Sequence, residues 1–120
     1  MNIPANFVTI HPYFKIHAGK APQAAAVMEK FIAKTKGEPL CLFYDFTVLD
    51  DAAFCREGYV GAAGVLHHLE NVGGILEEML AVAELTRLEF HGPVAEIDLL
   101  RQPLAHLNPS WFVVSSGVEC

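Results

Sequence analysis

A chain of 120 residues has room for one domain, taken to span 1–120, and for no second core. Its residues are 52% hydrophobic and only 18% charged, with a mean hydropathy of +0.32, so a partner surface is expected to cover part of the apolar excess. The net charge of −6 with scattered Lys and Arg argues against a nucleic-acid partner, and no apolar run of about 18 residues suggests a membrane span.

Met1 to Pro12 reads as an irregular arm, and Tyr13–His17 alternates as a short first strand. Gly19 breaks it. Pro22 then suits the first turn of a helix, where its missing N–H costs nothing, and Ala24, Val27, Met28, Phe31 and Ile32 recur at helical spacing until Gly37 and Pro39. Cys41–Val48 is an aromatic and β-branched run that predicts a second strand. Asp50-Asp51 turns the chain into a third strand over Ala53–Tyr59. The apolar stripe Ala62, Val65, Leu66, Leu69, Leu76, Met79 and Leu80 predicts a second helix to about Ala83, interrupted at Gly73-Gly74. Leu85–His91 supplies a fourth strand. The order β-α-β-β-α-β defines an α+β, ferredoxin-like split βαβ domain. Beyond it, Gly92-Pro93 opens a third helix with Val94, Ile97 and Leu100 on one side, Pro103 ends it, and Trp111–Val114 suits a short terminal strand.

Such a sheet carries both main helices on one face. The second strand is apolar on both sides, with Leu42, Tyr44 and Phe46 on one and Cys41 and Phe43 on the other, so the second face also needs cover. Two copies packed sheet to sheet would provide it, which predicts a homodimer. With Phe14, Ile16, Leu88 and Phe90 turned to the helices, Lys15, Arg87 and Glu89 point the other way. Glu57, which shares a face with Cys55 and Tyr59, is expected beside them. This polar ladder reads either as a paired charged face or as the lining of a ligand pocket.

Cys41, Cys55 and Cys120 form no CxxC pair, and Met1–Thr9 lacks a basic stretch followed by an apolar run, so a reducing, cytoplasmic setting is expected. No His, Cys, Asp or Glu spacing predicts a metal site, and Gly61-Ala62-Ala63-Gly64 is helix-start material without a preceding Rossmann context, so no nucleotide site is expected. His67 and His68 diverge by about 100° on a helix, so they do not chelate as a pair. His67 points to solvent, and His68, on the flank of the apolar stripe, is the one that can face a pocket.

The stretch Arg56-Glu57-Gly58-Tyr59 followed by Val65-Leu66-His67-His68-Leu69 resembles the antibiotic-biosynthesis-monooxygenase-like family of dimeric α+β barrels. Glu57 matches that family's strand Glu, and His68-Leu69 its helical His-Leu pair. The second His that often follows four residues later is replaced here by Val72. The resemblance implies a homodimer with a pocket in each protomer. It also implies a cofactor-independent monooxygenase acting on a small aromatic or quinol-like compound. His68 and Glu57 would be its catalytic pair, and Lys15, Tyr44, Tyr59, Arg87 and Trp111 would bind substrate. A non-catalytic barrel that binds a small hydrophobic ligand is the alternative, and haem degradation ranks third. A cavity of several hundred Å³ with His68 or Glu57 in its wall separates the enzyme from a closed, wholly apolar interior.

Overall fold

The computed structural model describes residues 2–120; Met1, the first residue of the expected arm, lies outside the described residues. The elements follow the order β1 (Phe7–Ile16), α1 (Ala21–Thr35), β2 (Cys41–Leu49), β3 (Ala52–Val60), α2 (Gly61–Leu80), β4 (Ala83–Gly92), α3 (Val94–Arg101) and β5 (Ser110–Val113). A 3-10 turn over Ala105–Leu107 joins the last two. The sheet order is β2-β3-β1-β4-β5, with every pair antiparallel except β4–β5. This is the ferredoxin-like α+β fold expected from the sequence, with the extra helix and strand appended at one edge.

Three expectations are corrected. The arm is half strand: β1 starts at Phe7, because Phe7, Val8, Thr9 and Ile10 pair with β3. Pro12 hid this, since a residue without an N–H is rare in a central strand. The sheet tolerates it by letting the β1–β3 pairing lapse between Ile10 and Tyr13, and by shifting register against β4 after Tyr13, where Thr86 donates its hydroxyl to the Tyr13 carbonyl at 3.1 Å. Second, α2 runs unbroken through Gly73-Gly74 and ends at Leu80, so β4 begins earlier, at Ala83. Tertiary packing of Val72 and Met79, both buried, carries the helix across two poor helix formers. Third, a register shift between Cys41 and Phe43 turns Cys41 back toward the core, opposite Tyr59, while Phe43 stays on the outer face.

Both main helices lie on one side of the sheet and the core fills the space between them. One half gathers Phe14, Ile16, Val27, Phe31 and Met79; the other gathers Val8, Ile10, Tyr59, Val65, Phe90 and Ile97. The appended α3 belongs to the second half through Ile97 and Leu100, both fully buried, whereas Val94, expected on the same side, is exposed. The start of α2 depends on two features. Gly61 takes φ +68°, a left-handed conformation that suits glycine, and donates its N–H to the Asn6 carbonyl at 2.8 Å. The next free N–H, that of Ala62, is capped by the Glu96 carboxylate of α3 at 2.9 Å. No helix among the described residues is long and apolar enough to cross a membrane.

Candidate functional site

Between the two halves of the core lies a group of polar side chains that the surrounding residues do not explain as packing. His68, on the inner side of α2, is 2% exposed, and Glu57 on β3 is 3% exposed. Their register is set by simple alternation: Ala53, Cys55, Glu57 and Tyr59 are all buried under the helices. Glu57 therefore faces the helices and not the outer face, which overturns its expected place beside Lys15, Arg87 and Glu89. A buried carboxyl resembles a surface residue in an alternating pattern, and only the burial of its neighbours Cys55 and Tyr59 signals otherwise.

The group forms a connected chain. The Tyr59 hydroxyl donates to Glu57 Oε1 at 2.7 Å. Glu57 Oε1 stands 3.5 Å from His68 Nε2. The other ring nitrogen, Nδ1, lies 2.9 Å and 3.1 Å from the two oxygens of Glu38. Asn71 donates its amide to Glu38 Oε2 at 2.8 Å and to the Lys34 carbonyl at 3.1 Å. Tyr44 and Tyr59 pack their rings at 5.2 Å and 5.0 Å from the imidazole.

Glu38 and Asn71 were missed from the sequence. Glu38 sits in the turn after α1, between Gly37 and Pro39, where nothing marks it as buried. Asn71 could have been found, because it follows His68 by three residues and so shares its helix face.

Burial sets the protonation states. It pushes the Glu57 carboxyl up to about 7, against the pull of its bonds to Tyr59 and Cys55. It lowers His68 despite the nearby Glu38, which favours the neutral imidazole. Tyr44, Tyr59 and Cys55 are all pushed up by burial and then by Glu57, and Cys41 rises to about 11. Neither core thiol is a ready nucleophile. The result is a weak acid and a weak base, side by side, in a dry setting.

The cavity against this pair measures about 50 Å³. Glu57, His68 and Tyr44 lie in an otherwise apolar wall that includes Pro12, Phe46 and Leu88. It is neither the wholly apolar interior nor the space of several hundred Å³ between which the sequence reading set its choice. A larger groove of about 240 Å³ opens at the free edge of β2, lined by Ile32, Thr35, Lys36, Glu38, Leu42 and Tyr44 among others. Tyr44 and its strand stand between the two spaces.

Of the remaining substrate-binding expectations, Tyr59 is fully buried behind Glu57. Lys15 and Arg87 lie on the outer face, where Arg87 pairs with Glu89, because β1 and β4 alternate in step with Phe14 and Phe90. Trp111 stacks on Phe90 with ring centres 5.1 Å apart and under Arg101, beyond the cavity wall. The structure thus brings His68, Glu57, Tyr44 and Tyr59 together and leaves Lys15, Arg87 and Trp111 elsewhere.

A ferredoxin-like domain with a buried acid–base pair under its helices is the class of protein this geometry defines. MupZ from Pseudomonas fluorescens has 36% identity and a TM-score of 0.92, over 96% of this chain and 95% of its own. A protein from Caulobacter crescentus, provisionally assigned as an antibiotic biosynthesis monooxygenase, shares the fold at 21% identity and a TM-score of 0.67, covering 75% of this chain and 92% of its own. A similarly assigned protein from Chloroflexus aurantiacus does so at 15% and 0.61, over 73% and 93%. No family model and no curated protein matches the chain. With 36% identity over nearly the whole of both chains, the chain belongs to the same family as MupZ, and its fold is the one shared by the proteins assigned as antibiotic biosynthesis monooxygenases.

Proposed function

We propose that the chain is an enzyme that moves protons on a small, mostly apolar substrate, with His68 as the base and Glu57 as the acid. The observation that carries this reading is their 3.5 Å approach at the wall of a cavity, with the imidazole lowered and the carboxyl raised by the same burial. A carboxyl raised toward neutrality beside an imidazole that burial disfavours protonating is an arrangement suited to proton transfer at neutral pH. A volume of about 50 Å³ holds one or two waters, so only the reacting end of a substrate fits there. The rest would lie in the groove at the β2 edge, reached by rotation of the Tyr44 side chain.

Two reactions suit such a pair. Cofactor-independent oxygenation of an aromatic or quinol-like compound needs a base to form the electron-rich anion that meets oxygen, and the family likeness supports it. A redox-neutral reaction, such as opening or closing a C–O bond, needs an acid as well as a base. The raised Glu57 carboxyl, still partly protonated at neutral pH beside His68, favours this second reading. Incubating the protein with phenols, quinols and strained cyclic ethers, with and without oxygen, separates the two. Turnover only with oxygen supports oxygenation, and turnover without it supports the redox-neutral reaction. In either case His68→Ala should lower kcat by about 10²-fold or more, and Glu57→Gln should do the same for the redox-neutral reaction. Unchanged turnover in both variants rejects the acid–base reading and leaves a ligand-binding barrel.

A homodimer joined through the outer face of the sheet completes this reading. That face carries Phe7, Phe43, Tyr13 and Phe54, grouped in ring contacts of 4.6 to 6.2 Å. Several of its charges pair within the protomer, Asp45 with Arg56 and Glu89 with Arg87 and His91, which lowers the cost of covering them.

A further inference from the structure

We infer that Glu38, braced by Asn71, is a positioning residue that fixes His68 as one tautomer, with the proton on Nδ1 and the lone pair of Nε2 turned to Glu57 and the cavity. An ionised Glu38 is an acceptor only, and its Oε2 takes the Asn71 amide N–H at 2.8 Å, a contact that suits the carboxylate. Facing such an acceptor at 2.9 Å, Nδ1 makes a hydrogen bond only when it bears the hydrogen. An unconstrained neutral imidazole in water favours the opposite form, with the proton on Nε2. Left to itself, then, His68 would present an N–H to the cavity and could not accept a proton there.

The bracing is built from three separate parts of the chain. Glu38 is held by its backbone N–H, which donates to the Thr35 carbonyl at 2.9 Å. Asn71 ties the Glu38 carboxylate to the Lys34 carbonyl at the end of α1. Because Asn71 and His68 are three apart on α2, both reach the same carboxylate from one helix face. The loop can approach this closely because Gly64 has no side chain; a Cβ there would stand 3.1 Å from the Leu40 carbonyl oxygen. The titratable groups facing the imidazole are Glu38 from the loop, Glu57 and Tyr59 from β3 and Tyr44 from β2, with His67 next to it on α2. Among the described residues, Glu38 is the one that meets Nδ1.

What this means for turnover rests on the acid–base reading above; the tautomer itself does not. The test is long-range 1H–15N NMR of the imidazole in the full chain, with the His68 signals assigned by comparison with His68→Asn. The wild-type protein should show a single neutral tautomer protonated on Nδ1. Glu38→Gln should keep that tautomer, because its carbonyl oxygen still accepts, while shifting the His68 titration to lower pH through loss of the negative charge. Glu38→Ala should release the preference, and Asn71→Ala should weaken it. A wild-type spectrum with the proton on Nε2 overturns the inference, as does a Glu38→Ala spectrum with the tautomer unchanged. If Glu38→Ala does not fold, the wild-type spectrum and Asn71→Ala still decide: a tautomer on Nδ1 that Asn71→Ala leaves fully intact and equally protected from exchange removes the brace. Loss of turnover in His68→Ala is a separate result, so a failed acid–base reading leaves the tautomer result standing.

Discussion

Glu57 shows how one buried group links stability to pH. Its carboxyl titrates near 7 in the folded protein, well above the ordinary value of 4.5, because burial penalises the charge. A folded pKa above the unfolded one means that the folded state binds the proton more tightly. The stabilising contribution is therefore complete below 4.5 and is lost as pH rises through 7. Glu57→Gln, which keeps the size and cannot ionise, should lose none of it. Thermal melts from pH 5 to pH 9 should show the variant gaining on the wild type as pH rises, by up to about 3 kcal/mol at the alkaline end. His68 acts in the opposite sense. Its lowered pKa costs stability as pH falls below its ordinary 6.5, in the wild type and the variant alike, so the difference between the two reports Glu57. A constant difference across the range would mean that Glu57 is already ionised in the fold.

The two glycines of α2 make an element-scale case. A Cβ at Gly73 or Gly74 would meet nothing within 4 Å, and both residues lie in the helix interior. Each alanine should therefore stabilise the protein, by about 0.5–1 kcal/mol, read as a rise in the urea midpoint. The start of the same helix should respond in the other direction. Glu96→Ala removes the cap on the Ala62 N–H and should cost about 1 kcal/mol. These elements also mark what the sequence could reveal. Periodicity located both helices, the order of the strands and the inward set Phe14, Ile16, Leu88 and Phe90, because those patterns follow directly from burial. It misread Pro12 and Gly73-Gly74, where packing outweighs local preference. At the site, His68 was legible from its place beside the apolar stripe and Glu57 from its likeness to the family's strand Glu. The bond that fixes His68 was not, since Glu38 lies 30 residues away in a turn of ordinary composition. A contact made by tertiary closure leaves no local pattern.

At the scale of the molecule, the sheet has one face filled by helices and one without cover, and the excess of apolar residues has to be reconciled with that second face. Its aromatic residues Phe7, Tyr13, Phe43 and Phe54 are half-buried already, and Phe54 packs at a tilt against Tyr13 at 4.6 Å and stacks with His11 at 5.9 Å. If two copies meet here, Phe54 is an aromatic anchor of the kind that dominates interfaces. Phe54→Glu would then place a charge in the centre of a desolvated patch and weaken the dimer by at least about 30-fold, the equivalent of 2 kcal/mol. Leu99→Glu is the matched control, since Leu99 is 61% exposed on α3, behind the other side of the sheet. Sedimentation at micromolar concentration should give twice the 13.1 kDa chain mass for the wild type and for Leu99→Glu, and a concentration-dependent shift toward the monomer for Phe54→Glu. Circular dichroism of the Phe54 variant distinguishes dissociation from unfolding. A wild-type chain that sediments as a monomer would leave the face open, and its paired charges, Asp45 with Arg56 and Arg87 with Glu89, would then serve to keep a half-apolar sheet in solution.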